Sequence, residues 1–164
     1  MSGPGRVLVA GIGNVFLGDD GFGVEVVRRL DRAALPEGVD VVDYGIRGVH
    51  LAYDLLDGAH DTVVLVDALP LPDPPGTLAV LEVPMDGELP DLPAVDGHGM
   101  SPVAVVELLK SLGGGVRRVL VVGCRPAVLD ERMELSEPVA AAVEPATALV
   151  ADVVRELTTA GVHQ

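Results

Sequence analysis

Aromatic residues are nearly absent from this 164-residue chain, which has no Trp, two Tyr and two Phe. Proteins that bind single-stranded nucleic acid stack bases on aromatic side chains, so this composition argues against that class. Basic residues are also few: 11 Lys and Arg stand against 25 Asp and Glu, a formal net charge of −14. Because phosphate backbones recruit Lys and Arg, we expect no nucleic-acid partner. A metal ion, or a partner with a basic segment, fits this charge better.

Cysteine and long apolar runs are the other scarce features. The single Cys124 excludes an internal disulfide and suggests a reducing compartment. No apolar run approaches the ~20 residues that span a bilayer, and the N-terminus lacks a signal-peptide layout. We therefore expect a cytoplasmic protein with no membrane partner. Its length fits one domain over residues 1–164.

Apolar runs alternate with helical patterns along most of the chain. Strands are predicted at 6–11, 39–44, 62–68, 77–83 and 117–123, and helices at 21–33, 48–56, 102–112 and 145–159, with a short separate helix from Glu137. This alternation predicts an α/β fold, a three-layer αβα sandwich with a mainly parallel sheet. The strand at 77–83 follows a turn too short for a parallel crossover, so it is predicted to be an antiparallel edge strand.

The glycine-rich loop between the first strand and helix carries two adjacent carboxylates, Asp19 and Asp20, at the helix start. Ligands of open α/β sheets bind beyond the carboxyl ends of the strands, and carboxylates there suit a cation. A dinucleotide fingerprint would need a third glycine where this chain has Phe16, so nucleotide binding is the weaker alternative. Either Asp could cap the helix, but two adjacent residues cannot both occupy the cap position.

Other chemistry-bearing residues follow predicted strands or precede a helix. Asp67 follows a buried apolar run, where a carboxylate is costly unless it is metal-bound or hydrogen-bonded to loop amides. Asp43 ends the second strand and could simply close a turn. His98 precedes a helix and could lean over the same edge. Two carboxylates and one imidazole suit Ni or Zn better than Ca or Mg. Cys124 is expected to be a small buried hydrophobe.

Taken in order, these motifs resemble the hydrogenase maturation proteases, which remove a C-terminal extension from the large subunit of nickel–iron (NiFe) hydrogenase after nickel insertion. The likeness covers nearly the whole chain. The motifs are Gly11-x-Gly-Asn-x-x-x-Gly-Asp-Asp-Gly-x-Gly23, Gly45-x-x-Gly48-x-x-Leu51, Val-Leu-Val-Asp67-Ala, His98, Gly123-x-x-Pro126 and Leu135-Ser136-x-x-Val139. Two departures stand out: Asp20 occupies a position that can be Glu in the family, and Ser101-Pro102 follow His98 instead of preceding it.

The resemblance implies an endopeptidase whose metal-binding positions are Asp20, Asp67 and His98. It also implies that nickel is supplied by the substrate, the precursor large subunit of NiFe hydrogenase. Because no Ser–His or Cys–His arrangement is recognisable, we expect water attack with Asp43 as general base. The alternative left open is a non-enzymatic nickel-binding maturation chaperone on the same fold.

Overall fold

The computed structural model describes residues 6–85 and 101–162, with side chains described as far as residue 159. The strands are β1 (Val7–Ile12), β2 (Val39–Gly45), β3 (Thr62–Ala68), β4 (Leu78–Val83) and β5 (Arg118–Cys124). The α-helices are α1 (Phe22–Arg29), α2 (Gly48–Leu55), α3 (Pro102–Ser111) and α4 (Glu137–Val162), and short 3₁₀ turns lie at Gly18–Gly21 and Arg32–Ala34.

The described strands form one sheet in the order β2-β1-β3-β5-β4. β1 pairs in parallel with β2 and β3, and β3 pairs in parallel with β5. β4 lies at the edge and is antiparallel to β5, as predicted. The chain leaves β1 towards one edge of the sheet and then returns to build β3 on its other side. Such a reversal opens a crevice beyond the carboxyl ends of β1 and β3.

Two apolar layers cover the two faces of the sheet, which confirms the three-layer αβα sandwich. Successive strand residues point to opposite faces: Val9 packs against the side with α1 and α4, and Leu8 packs against the side with α2 and α3. Every residue of β1 and β3 is buried. The carboxyl ends of these two strands are therefore rigid supports for whatever follows them.

The last helix differs from the prediction. Glu137 does not begin a separate short helix, because α4 is continuous and Pro145 lies inside it. A buried stripe at helical spacing runs through the proline and explains this: Val139, Ala142, Val143, Ala146, Val150, Val153, Val154 and Leu157. Pro145 has no N–H to donate to the carbonyl of Ala141. Both residues are exposed. Packing of the buried face thus outweighs the local cost of proline.

The first helix is shorter than predicted. α1 ends at Arg29, and Leu30 is already extended, with ψ of 131°. A separate 3₁₀ turn follows at Arg32–Ala34, where the side chain of Asp31 accepts a hydrogen bond from the Ala33 N–H. No helix in the described part of the chain is long and apolar enough to cross a membrane.

Candidate functional site

The loop that leaves β1 doubles back tightly at Gly13. Its φ is +139°, and a Cβ placed there would lie 1.9 Å from the carbonyl oxygen of Asp20. Only glycine allows this approach. The Gly13 N–H donates to the carbonyl of Gly45, which ties the loop to the end of β2 at 2.9 Å. The loop is therefore held over the crevice between β1 and β3.

Asp20 and Asp67 meet at this loop. Oδ2 of Asp20 accepts a 2.8 Å hydrogen bond from the Asn14 N–H. Oδ1 of Asp67 accepts from the Ala68 N–H at 2.8 Å and lies 3.8 Å from the Cβ position of Gly13. The two residues are only 6% and 7% exposed. The structure thus brings together two of the three predicted metal-binding residues, because β1 and β3 are adjacent and parallel.

His98, the third predicted ligand, lies outside the described residues. Within residues 6–85 and 101–162, no group of three or more His, Cys, Asp and Glu side chains could hold a metal ion. The described part of the site is therefore a pair of buried carboxylates. Oxygen ligands of this kind accept divalent cations, and an imidazole would add the nitrogen that ions such as nickel or zinc favour.

Asp19 does not cap a helix, which was the alternative role that the sequence left open for either Asp19 or Asp20. Neither the 3₁₀ turn that contains it nor α1 has a side-chain cap hydrogen bond. Its carboxylate accepts instead from the N–H groups of Ala127, Val128 and Ser136 and from the Ser136 hydroxyl, at 2.7–2.8 Å. Burial raises the pKa of Asp19, but these hydrogen bonds outweigh burial and lower it below its ordinary value. The residue is thus a buried, ionised anchor.

Asp43 borders a different part of the crevice. β2 continues to Gly45, so Asp43 belongs to the strand and pairs with Gly11 instead of closing a turn. Its carboxylate forms an ion pair with Arg28 of α1, and its carbonyl accepts from Nη2 of Arg47 at 2.7 Å. Asp43 and both arginines line an open groove of about 430 Å³ that continues along the Gly13–Phe16 loop.

The groove has exposed apolar walls that sequence reasoning did not identify. Phe16 is 61% exposed and Ile46 is 71% exposed, and both border it. Arg28 was also missed as a groove residue. The one feature of the sequence that could have indicated this is helical spacing. Arg28 lies four residues after Val24, on the same face of α1, and Val24 also lines the groove. An elongated apolar segment with an acidic group would complement this surface.

Cys124 is fully buried at the end of β5, as expected for a small hydrophobe. Burial, followed by the negative charge of Asp19, raises the pKa of its thiol to about 12. The thiolate is the nucleophilic form of cysteine, so this residue is not equipped to attack a peptide bond.

Comparison with known proteins identifies the family that the sequence motifs resemble. Residues 24–153 match the sequence model of a family described as hydrogenase maturation protease. The hydrogenase 2 maturation protease of Escherichia coli K12 is 32% identical over 155 residues, which cover 92% of each chain.

Solved structures show the same likeness. A hydrogenase 2 maturation peptidase from a Thaumarchaeota archaeon has a TM-score of 0.69 and 35% identity, covering 91% of this chain and 97% of that one. A NiFe hydrogenase maturation protease, HycI from Thermococcus kodakarensis, has a TM-score of 0.69 and 26% identity, covering 94% and 95%. These relatives are proteases, which favours the endopeptidase hypothesis over the chaperone alternative.

Proposed function

Because the chain belongs to the hydrogenase maturation protease family, we propose that it removes the C-terminal extension of a NiFe hydrogenase large subunit once nickel has been inserted. The endopeptidase activity follows from the family and its relatives. The precursor as partner, nickel as recognition element and a cytoplasmic location are the parts that we add. The single observation that supports the nickel-dependent step best is the meeting of Asp20 and Asp67 at the Gly13–Asn14 loop.

Asp20, Asp67 and His98 are the proposed ligands for nickel that the precursor presents. Two carboxylates at one loop supply the oxygen ligands that a divalent cation accepts. Nickel would thus act as part of the substrate, not as a resident cofactor. Coordination would contribute binding energy only when the precursor carries its metal, which makes cleavage conditional on nickel insertion.

The groove beside the loop is the proposed seat of the precursor segment that is cut. Asp43 would take a proton from the attacking water, because its carboxylate lies in the groove wall and is 33% exposed. Arg28 would hold that carboxylate in place. A metal ion next to the groove would polarise the scissile carbonyl. Water would attack the scissile carbonyl carbon, and Asp43 would then give the proton to the leaving amine as the C–N bond breaks, so that no covalent enzyme intermediate forms.

The test is incubation of the precursor large subunit, with and without nickel, followed by its intact mass. Wild-type protein should shorten only the nickel-loaded precursor. Asp20→Asn, Asp67→Asn and His98→Ala should each lose nickel-dependent binding and cleavage. Asp31→Asn is the matched control, because Asp31 lies in a remote 3₁₀ turn. Equal cleavage with and without nickel would refute the checkpoint, and a stable complex of unchanged mass would favour a chaperone.

A further inference from the structure

The side chain of Asp19 joins two segments that are far apart in sequence. Its partners Ala127, Val128 and Ser136 lie 108, 109 and 117 residues along the chain. Oδ2 accepts from two backbone N–H groups and from the Ser136 hydroxyl, while Oδ1 accepts from the Ser136 N–H. Asp19 has no exposed surface. Residues 127–136, here called the 127–136 segment, therefore wrap around one buried carboxylate.

Backbone hydrogen bonds join the same two segments. The Gly18 N–H donates to the Arg132 carbonyl at 2.7 Å, and the Asp19 N–H donates to the Val128 carbonyl at 2.8 Å. In return, the Arg132 N–H donates to the Phe16 carbonyl at 3.0 Å. Phe16, Gly18 and Asp19, which precede Asp20, are thus all hydrogen-bonded to the backbone of the 127–136 segment.

Asp20 is the next residue after this anchor. Its N–H closes the 3₁₀ turn on the Leu17 carbonyl at 3.1 Å. An aspartate has one methylene between its backbone and its carboxylate, so any movement of the turn moves the carboxylate by a similar amount. Metal ligation tolerates little such displacement, and mutation of a residue that orients a ligand typically lowers metal affinity by about 10- to 100-fold. Fixing Asp19 therefore fixes the direction in which Asp20 points.

We propose that Asp19 is a positioning residue, which holds Asp20 preorganised for the nickel of the precursor by attaching its turn to the 127–136 segment. This inference rests on the proposed function of Asp20. It assigns adjacent carboxylates two separate roles: Asp20 contacts the metal, and Asp19 contacts only protein. Asp19 is a poor metal ligand, because its carboxylate has no exposed surface and already accepts four hydrogen bonds from protein, three of them on Oδ2.

Asp19→Asn tests the proposal, because an amide has one acceptor oxygen where the carboxylate has two. Cleavage is measured with the nickel-loaded precursor as substrate and the nickel-free precursor as a competitive inhibitor. We expect KM for the loaded precursor to rise about 10- to 100-fold. The inhibition constant of the nickel-free precursor should stay within about 2-fold, since its binding does not use Asp20.

A merely structural role would give a different result. Loss of folded protein lowers the active fraction, and so the apparent kcat, but it leaves KM and the inhibition constant unchanged. That pattern in Asp19→Asn would overturn the proposal. Asp31→Asn is the matched control and should keep wild-type values, because Asp31 also accepts from a backbone N–H in a 3₁₀ turn.

Ser136→Ala serves if Asp19→Asn does not fold, because it removes only the hydroxyl donor and keeps the carboxylate. KM for the loaded precursor should then rise about 3- to 10-fold, the usual net effect of one ordinary hydrogen bond, because three of the four hydrogen bonds to the carboxylate remain. An unchanged KM in Ser136→Ala would then overturn the positioning role. If wild-type protein binds both forms of the precursor equally, the proposed function fails instead, and this inference fails with it.

Discussion

Arg28 and Asp43 form an ion pair in which Nε and Nη2 of the guanidinium each lie 3.3 Å from the same carboxylate oxygen, Oδ2. The pair joins α1 to β2 at the edge of the sheet where the groove opens. Arg28 holds Oδ2 from one side, while the side chain of Asp43 remains 33% exposed. Asp43 is thus oriented by protein contacts yet reachable by water, as a general base must be.

Asp43→Asn should lower cleavage of the nickel-loaded precursor by about 100-fold or more, the usual contribution of a general base. Association with the nickel-loaded precursor should persist, because Asp43 is not a proposed metal ligand. Cleavage is followed by product mass and association by co-purification with the precursor. Asp40→Asn, at the other end of β2, is a matched control, since Asp40 also pairs with an arginine. Normal turnover by Asp43→Asn would reject the general-base role.

Gly23→Ala should destabilise the packing of α1 on the strands that support the site. A Cβ there would lie 2.0 Å from the Val66 carbonyl oxygen and 2.6 Å from that of Ile12, and backbone atoms of buried strands cannot move aside. We expect a loss of about 3 kcal/mol in the free energy of unfolding. Because Val66 precedes Asp67, nickel-dependent binding should weaken too.

Urea unfolding measures the effect of Gly23→Ala, and Gly115→Ala is its control. The nearest atom to a Cβ on Gly115 is the flexible end of Met85, at 3.5 Å, which is ordinary contact. Equal stability of the two variants would show that α1 can shift on the sheet at little cost.

Local pattern was enough to predict the sheet and part of the site. Parallel strands place their carboxyl ends at one edge, so the sequence alone predicts that Asp20 and Asp67 lie near each other. The antiparallel edge strand followed from the short connection before it. These features depend on the period of the apolar residues and on connection lengths, which the sequence displays directly.

Local sequence patterns could not predict the polar contacts between residues far apart in sequence. Nothing within the Gly18–Gly21 turn indicates that Asp19 bonds to a residue 117 positions away. The Leu135-Ser136 motif was the available signal, but its partner depends on the path of the 127–136 segment, which no local pattern displays. The predicted helix start at Pro145 was wrong for a related reason. The free energy gained by burying the apolar stripe on both sides of Pro145 outweighs the local preference of proline for a helix start.

Pro145→Ala should stabilise the protein. The side chain is exposed, so little packing is lost, and alanine restores an N–H that can donate to the Ala141 carbonyl. We expect a gain of about 1 to 3 kcal/mol in the free energy of unfolding, reduced by the greater freedom of the unfolded chain. Thermal unfolding measures the change. An unaltered or lower Tm would mean that α4 bends at this proline in a way that its packing requires.

Cys124 should be inert in the folded protein and should make stability fall at alkaline pH. Its native pKa of about 12 lies above the ordinary value of 9.0. Its contribution to stability is therefore complete below pH 9 and is lost as pH rises towards 12, because the unfolded chain ionises first. The loss amounts to about 1 kcal/mol at about pH 10.

Cys124→Ala isolates this effect from the ionisation of other groups. The drop in unfolding free energy between about pH 8 and pH 10 should be smaller in the variant by about 1 kcal/mol. Nickel-dependent cleavage should remain, since a buried, protonated thiol takes no part in it. Iodoacetamide should modify wild-type Cys124 only after unfolding in urea. Rapid alkylation of the native protein, or loss of cleavage in the variant, would contradict this and make Cys124 a candidate nucleophile.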